Sequence, residues 1–179
     1  MTEPGTEALT LVPVDWDDPR AVALRQSMDA EIGARYVDPE SSSVDQAVAR
    51  ALVVDPADVL VTILVLDADA TPIAHGALRT LRVDWEVERL IVADDRRGRG
   101  VGRALLTELE RIAWAGGADR VILQTGDRQP EAVAPYEQLG YTRIPIYEPY
   151  VEAIPFSICF EKVLSLLSGR DPDRGTGSQ

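Results

Sequence analysis

Arginine and glycine residues are concentrated in one short stretch of the sequence. Residues 86–102 read EVERLIVADDRRGRGVG: a short apolar run typical of a half-buried strand, a turn, and then a loop, 96–102, rich in both residue types. Apolar residues return after this loop at helical spacing. A strand that feeds a glycine-rich basic loop opening a helix is a recurrent way to hold a pyrophosphate. Exposed N–H groups and the positive end of the helix dipole then face the anion.

The spacing within this loop separates it from two better-known phosphate loops. Counting from Gly98, the sixth position of a dinucleotide-binding G-x-G-x-x-G fingerprint is occupied by Arg103, so that pattern fails. The Gly-Lys-Ser/Thr ending of a Walker A loop is absent from the stretch. What remains is Arg97-x-x-Gly100-x-Gly102. The alternative interpretation is a strand-turn-helix whose basic connector binds nothing.

The overall charge limits the classes of partner. The net charge of -12 argues against binding along a nucleic-acid backbone, which needs a basic face, and suits attraction of a cationic substrate such as an amine. The sign reverses locally, because the arginines at 96, 97, 99 and 103 place four cations within eight residues. Such a cluster suits a phosphorylated cofactor.

Length and residue usage predict a single cytoplasmic domain. A chain of 179 residues with 45% hydrophobic and 27% charged residues is ordinary for one globular domain. No apolar run approaches the roughly 20 residues of a membrane span, and the N-terminal residues lack the pattern of a signal peptide. The lone cysteine, Cys159, fits a reducing compartment. We expect a disordered tail at 1–8, one domain at 9–167 and a second disordered tail at 168–179.

Periodicity and turn residues predict a mixed sheet with helices. Helices are expected at 19–36, 44–52, 101–115 and 131–139, and strands at 9–14, 59–66, 73–83, 84–92, 120–125, 141–144 and 157–164. The segment between the last two strands is expected to be a loop. The strand, helix and strand around the glycine loop form a βαβ unit with an expected right-handed crossover. The sole histidine, His75, falls within a strand and is expected to be a packed or half-exposed strand residue rather than a catalyst.

Two motifs together resemble the GNAT (Gcn5-related) N-acetyltransferase family. The first is Arg97-x-x-Gly100-x-Gly102, which is similar to the coenzyme A loop of that family. The second is the segment 130–141, PEAVAPYEQLGY, in which an aromatic residue precedes Leu-Gly-Tyr. The resemblance extends over about residues 9–165. It implies an α/β fold with a central, mostly antiparallel sheet splayed at the βαβ unit and helices on both faces.

The resemblance implies acetyl-CoA as co-substrate, without a metal. The cofactor would lie between the strand ending at Val92 and the strand 121–125, with Ile91 and Val92 pairing to its pantetheine arm and thioester. An N–H near Val92 would stabilise the developing oxyanion. Gln129 stands where many relatives carry an asparagine and is a further cofactor contact. The pyrophosphate would be held by Arg97, Gly98, Arg99, Gly100, Val101, Gly102 and Arg103.

The resemblance also implies an acid and a base. Tyr136 matches the family's general acid, since a phenol of pKa about 10 is protonated at neutral pH and can donate to the departing thiolate. Pro135 directly precedes it and is expected to kink the helix. Glu86 and Glu88 are the candidate bases, acting on the amine directly or through water. Strand alternation predicts that they share a face with Leu90 and Val92, opposite Val87, Arg89 and Ile91.

The function implied is transfer of an acetyl group directly to a primary amine. The acceptor is a small molecule or a peptide, bound beside helices 19–52 and the loop 145–155, with Tyr36, Tyr147, Tyr150 and Phe156 as candidate walls. A homodimer is common among relatives. The alternatives are a non-catalytic acyl-CoA-binding sensor and a protein lysine or N-terminal acetyltransferase. Nucleic-acid and membrane partners are not expected.

Overall fold

The strands and α-helices follow the predicted order, with one α-helix added. The computed structural model describes residues 8–36, 46–127 and 130–164. Within them a four-residue helix, α5, occupies the segment expected to be a loop. The strands are β1 (Thr10–Val14), β2 (Val59–Leu66), β3 (Pro72–Leu81), β4 (Asp84–Val92), β5 (Arg120–Gly126), β6 (Thr142–Ile144) and β7 (Ser157–Val163); the helices are α1 (Pro19–Tyr36), α2 (Gln46–Ala51), α3 (Val101–Ala115), α4 (Pro130–Gln138) and α5 (Tyr150–Ala153).

Several expectations fall outside the described residues. Most of the expected N-terminal tail, the whole expected C-terminal tail and the expected cofactor contact Gln129 lie there. None of the helices within the described ranges has the length and apolarity that crossing a bilayer requires.

All the strands lie in one seven-stranded sheet of order β1-β2-β3-β4-β5-β7-β6. Successive strands β1 to β4 pair antiparallel as a meander, and β7 pairs antiparallel with both β5 and β6. The β4–β5 pair is parallel because α3 carries the chain across between them. The predicted mixed, mostly antiparallel sheet is therefore confirmed.

The parallel pair separates soon after it begins. Register between β4 and β5 is confined to Trp85–Val87 and Val121–Leu123. β4 nevertheless runs on to Val92 while paired with β3, so the edge of β4 that faces β5 is open from Glu88 onward in the described sheet. The predicted splay at the βαβ unit is thus present, and Glu88 is the first residue of β4 beyond its last pair with β5.

Helix α3 covers one face of the sheet and builds the main core. Its buried leucines, Leu105, Leu106 and Leu109, pack with Val121 and Phe160. The helix crosses β3 closely: a Cβ added to Gly76 would lie 3.0 Å from Leu109 Cδ1. The opposite face carries a smaller apolar cluster of Ala51, Tyr150 and Ile154. This second face, covered by α1, α2 and α5, is called the acceptor face below.

A β-bulge in β4 overturns the predicted alternation of its side chains. The register passes from Ala77↔Glu88 to His75↔Ile91, so β4 holds one more residue than β3 there, and Arg89 has a φ of +52°. As a result Leu90 joins the α3 core together with Val87, while Glu88 contacts Tyr150 on the acceptor face. The expectation that Leu90 and Val92 share the face of the glutamates is wrong, because the bulge shifts the alternation by one residue.

Candidate active site

The glycine loop is shaped by left-handed backbone conformations. Gly98 has a φ of +75° and Gly100, which precedes the first residue of α3, has a φ of +83°. A side chain at either position would strain the backbone, which explains the glycines. The first N–H groups of α3 have no acceptor within the helix. Together with the helix dipole they favour an anion at this end of α3.

Arg96 and Arg97, at the start of the glycine loop, form ion pairs with carboxylates. Arg96 pairs with Asp67 in the β2–β3 turn at 2.9 Å. Arg97 forms a two-pronged pair with Glu31 of α1, at 3.2 and 2.8 Å, and its Nε donates to the Val92 carbonyl at 3.0 Å. The Arg97 side chain therefore braces α1 and β4 against the loop. Arg99 and Arg103 are exposed at the loop and the first turn of α3.

The open edge of β4 presents different backbone groups from those expected. The Ala93 N–H donates to the Ile73 carbonyl, so Ala93 and, by alternation, Ile91 direct their backbone groups toward β3. Leu90 and Val92 then direct theirs toward the gap between β4 and β5. Ile91 and Val92 are both expected at this edge, but in the structure the backbone groups of Leu90 and Val92 face the gap and those of Ile91 face β3.

A cluster of buried charged and phenolic groups lies where the strands separate. Arg79 of β3 contacts both candidate bases: its Nη2 lies 2.6 Å from Glu86 Oε2 and 2.7 Å from Glu88 Oε1. Glu86 is 1% exposed, and its Oε1 accepts from Tyr147 at 2.7 Å and from Tyr150 at 3.1 Å. Glu88 is less enclosed, with a side chain 13% exposed. Glu88 is therefore more accessible to solvent than Glu86, although strand alternation places both on the same face.

The surroundings of Glu88 raise the pKa of its carboxyl group. Burial, and secondly the adjacent Glu86 carboxylate, raise the pKa of Glu88 from 4.5 to about 8, although Arg79 acts in the opposite direction. Burial and the Glu86 carboxylate also raise the pKa of Tyr147, and burial with both carboxylates raises that of Tyr150. Both tyrosines therefore stay protonated and act as hydrogen-bond donors. A carboxylate that titrates near neutral pH can accept a proton from an alkylammonium.

Tyr136 lies on α4 against two aromatic rings. Its ring centroid is 5.9 Å from that of Tyr141 and 5.6 Å from that of Phe160, and the residue is half-buried. Burial raises the pKa of Tyr136 to about 12, so the phenol remains protonated at neutral pH. Helix α4 continues past Pro135 to Gln138. Tyr141 is itself held by Glu110, which accepts from its hydroxyl at 3.0 Å.

The His75 side chain contacts the backbone of the β4 bulge from the neighbouring strand β3. It is fully buried on β3; its Nδ1 lies 2.8 Å from the Arg89 carbonyl and its Nε2 lies 3.0 Å from Nη1 of Arg25. Because a carbonyl only accepts, the ring proton is on Nδ1, and Nε2 accepts from Arg25. Burial lowers the pKa of His75 to about 4. The neutral imidazole thus supports the bulge, in agreement with its expected role as a packed strand residue.

The comparisons with known proteins decide the family. The family model described as "Acetyltransferase (GNAT) family" matches residues 21–141, about two thirds of the chain. The chain belongs to the GNAT acetyltransferase family. Its matched region contains the glycine loop, both glutamates and Tyr136.

Relatives of this GNAT protein share its fold at low identity. An IAA acetyltransferase of Azospirillum brasilense is 35% identical over 79 residues, which are 44% of this chain and about half, 51%, of the relative. A Klebsiella pneumoniae protein assigned as an acyl-CoA N-acyltransferase superposes with a TM-score of 0.70 at 24% identity, covering 87% of this chain and 97% of its own. The PaiA N-acetyltransferase of Thermoplasma acidophilum, in complex with coenzyme A, gives 0.64 at 15%, covering 87% and 99%.

Two features of this region of the GNAT protein are not predicted from its sequence. Arg79 was not singled out, although an arginine inside an apolar strand, opposite Glu86 in the hairpin register, is a detectable sign of a buried ion pair. Leu90 was missed because nothing in the sequence reveals a bulge at Arg89. Among the described residues, no group of three or more His, Cys, Asp and Glu side chains is arranged to hold a metal ion.

Proposed function

We propose that this GNAT protein transfers the acetyl group of acetyl-CoA directly to a primary amine. The observation that carries the proposal is the position of Glu88. A carboxyl group with a pKa of about 8 lies at the first residue of β4 that is not paired with β5, beside the gap in which the thioester would lie. The opposite end of that gap leads to the glycine loop and α3.

The backbone supports cofactor binding along this gap. The backbone groups of Leu90 face the gap and can pair with the amides of an extended pantetheine arm, as a further strand would, and the Val92 N–H faces the same gap. The loop from Gly98 to Gly102 has two left-handed glycines and leads into the first turn of α3, whose N–H groups have no acceptor within the helix, an arrangement that suits a pyrophosphate. Arg99 and Arg103 supply positive charge near it.

The chemistry assigned to the chain's own residues is proton transfer and charge stabilisation. Glu88 takes a proton from the ammonium form of the acceptor, which leaves a nucleophilic amine. The Val92 N–H stabilises the oxygen of the thioester carbonyl as negative charge develops on it. As the C–S bond breaks, Tyr136, protonated up to a pH of about 12, donates its proton to the departing thiolate, and it regains a proton from the nitrogen as the amide forms.

We propose that the amine substrate binds on the acceptor face of the sheet, beside α1, α2 and α5. Glu88 points to that face, and the net charge of -12 favours a cationic amine. Of the predicted walls, Tyr150 is fully buried and Tyr147 is half-buried, both bonded to Glu86, whereas Phe156 is 41% exposed. The side chain of Tyr36 lies outside the described residues. We propose a cytoplasmic location, which the lone cysteine supports.

A thiol-release assay with acetyl-CoA tests the proposal. The acceptor panel contains polyamines, aminoglycosides, amino acids and lysine peptides, and the variants are Glu88→Gln and Tyr136→Phe. Glu108→Gln, on α3 and bonded to Arg111, is the matched control. We expect release with one amine class, with both site variants slower by about a hundredfold or more and the control unchanged. Coenzyme A binding without release on any amine would instead indicate the non-catalytic sensor.

A further inference from the structure

One guanidinium connects the two glutamates of β4. The Arg79 side chain is 6% exposed, and its Nη2 lies within 3.0 Å of Glu86 Oε2, Glu88 Oε1 and the Tyr150 hydroxyl. Its Nε donates to Glu86 Oε2 at 2.7 Å, and its Nη1 donates to the Val53 carbonyl at 3.3 Å. Every nitrogen of the guanidinium therefore has an acceptor, and the group is fixed in one orientation.

The two carboxylates attached to Arg79 are held very differently. Both oxygens of Glu86 are bonded: Oε2 by Arg79, and Oε1 by Tyr147 and Tyr150. Glu88 lies beside Glu86, and the donors that contact it among the described residues reach Oε1: Arg79 Nη2 at 2.7 Å, and at 3.2 Å the Tyr150 hydroxyl, whose single proton is shared with Glu86 Oε1. Glu86 is thus locked, whereas Glu88 is held by one oxygen.

We propose that Arg79 and Glu86 are positioning residues, which hold one oxygen of Glu88 so that the other faces the strand splay where the acceptor amine arrives. Glu86 fixes the direction of the guanidinium, and the guanidinium fixes Glu88. This inference rests on the proposed function, in which Glu88 accepts the proton. It also changes the role of Glu86 from a candidate base to a support of the base.

The charges around Glu88 predict opposite effects for its two neighbours. The titratable and charged groups of this region are Arg79 on β3, Glu86 and Arg89 on β4, Tyr147 and Tyr150 at and before α5, and Cys159 on β7. After burial, the Glu86 carboxylate is the largest influence raising the pKa of Glu88, while Arg79 and Arg89 lower it. Loss of the Glu86 charge should therefore move the titration of Glu88 to lower pH.

Carbon NMR of protein labelled at the glutamate carboxyl carbons tests the inference without any acceptor. Glu88→Gln assigns the Glu88 signal, which we expect to titrate near pH 8 in the unaltered protein. Glu86→Gln, which keeps the shape of the side chain, should lower that midpoint by about one pH unit or more. Glu110→Gln is the matched control, since Glu110 is also buried and is bonded to a tyrosine and a cation, Tyr141 and Lys162, on the α3 face. A midpoint in Glu86→Gln that is unchanged or higher overturns the inference.

Arg79→Lys gives a second test that keeps the positive charge. A lysine ammonium cannot hold both carboxylates in a fixed plane, so we expect kcat to fall about tenfold or more with the affinity for coenzyme A unchanged. An unchanged kcat overturns the positioning role. The two proposals fail separately. If the Glu88 midpoint moves as expected but no amine is acetylated, the proposed function is wrong. If acetylation occurs but the midpoint of the Glu88 titration is unchanged in Glu86→Gln, only this inference is wrong.

Discussion

Replacement of Glu88 by Gln should make the free energy of unfolding depend less on pH between pH 4.5 and about 8. In the fold the pKa of this carboxyl is raised from 4.5 to about 8, firstly by burial and secondly by Glu86. Between these pH values the unfolded chain has lost the proton and the folded chain keeps it. The stabilisation is therefore complete below pH 4.5 and is lost as the pH rises through 8.

The size of the effect follows from the difference between the two pKa values. At about 1.4 kcal/mol for each pH unit, the separation of about 3.5 units corresponds to about 5 kcal/mol of unfolding free energy, to order of magnitude. Glutamine resembles the protonated carboxyl and does not titrate. The difference in stability between Glu88→Gln and the unaltered protein should therefore grow in favour of the variant across this range.

Urea unfolding of both proteins from about pH 5 to about pH 9 measures the effect. His75 contributes with the opposite sign, since its pKa is lowered from 6.5 to about 4 and its stabilisation is lost as the pH falls. Both proteins contain His75, so its contribution cancels in the difference. Glu108→Gln is again the control. Stability curves for the unaltered protein and Glu88→Gln that run parallel over this range would refute the account of the Glu88 environment.

Three further predictions concern the loop, the acid and the bulge. The double variant Arg99→Glu, Arg103→Glu should weaken coenzyme A binding, measured by calorimetry, about tenfold or more, whereas Arg111→Glu at the far end of α3 should leave it unchanged. An equal loss of coenzyme A affinity in both variants would show that the glycine loop does not bind the pyrophosphate. Tyr136→Phe should lower kcat with little change in cofactor affinity; an unchanged kcat in stopped-flow thiol release would exclude it as the acid. His75→Leu leaves the buried Arg89 carbonyl without its donor and should cost about 1–3 kcal/mol in urea unfolding, and a stability equal to that of the unaltered protein would argue against the support of the bulge.

The order of elements could be predicted because each signal is local. The apolar run 59–66, the glycines that end α3 and the amphipathic stripe of α3 are readable within a few residues, and the structure has β2, α3 and the βαβ unit where they indicate. The short helix α5 was not predicted. Its four residues lie in a proline-rich segment and carry no helical repeat long enough to detect.

The candidate site could be predicted only in part, because its decisive features are not local. Tyr150 meets Arg79 across 71 residues of sequence, and no spacing rule foresees such a contact. The bulge at Arg89 depends on a positive φ that a non-glycine residue rarely adopts and that His75 stabilises from the neighbouring strand. Alternation therefore placed Leu90 and Val92 on the wrong face and directed the Ile91 backbone into the gap.

The central claim is that coenzyme A lies in the gap between β4 and β5 with its pyrophosphate at the glycine loop. Amide NMR spectra of isotopically labelled protein, recorded as coenzyme A is added, test this most directly. We predict saturable shifts of the amides of Leu90, Val92 and residues 98–103, with little change in β1 and β6. Shifts confined to other parts of the fold, or no saturable shift at all, would contradict the account.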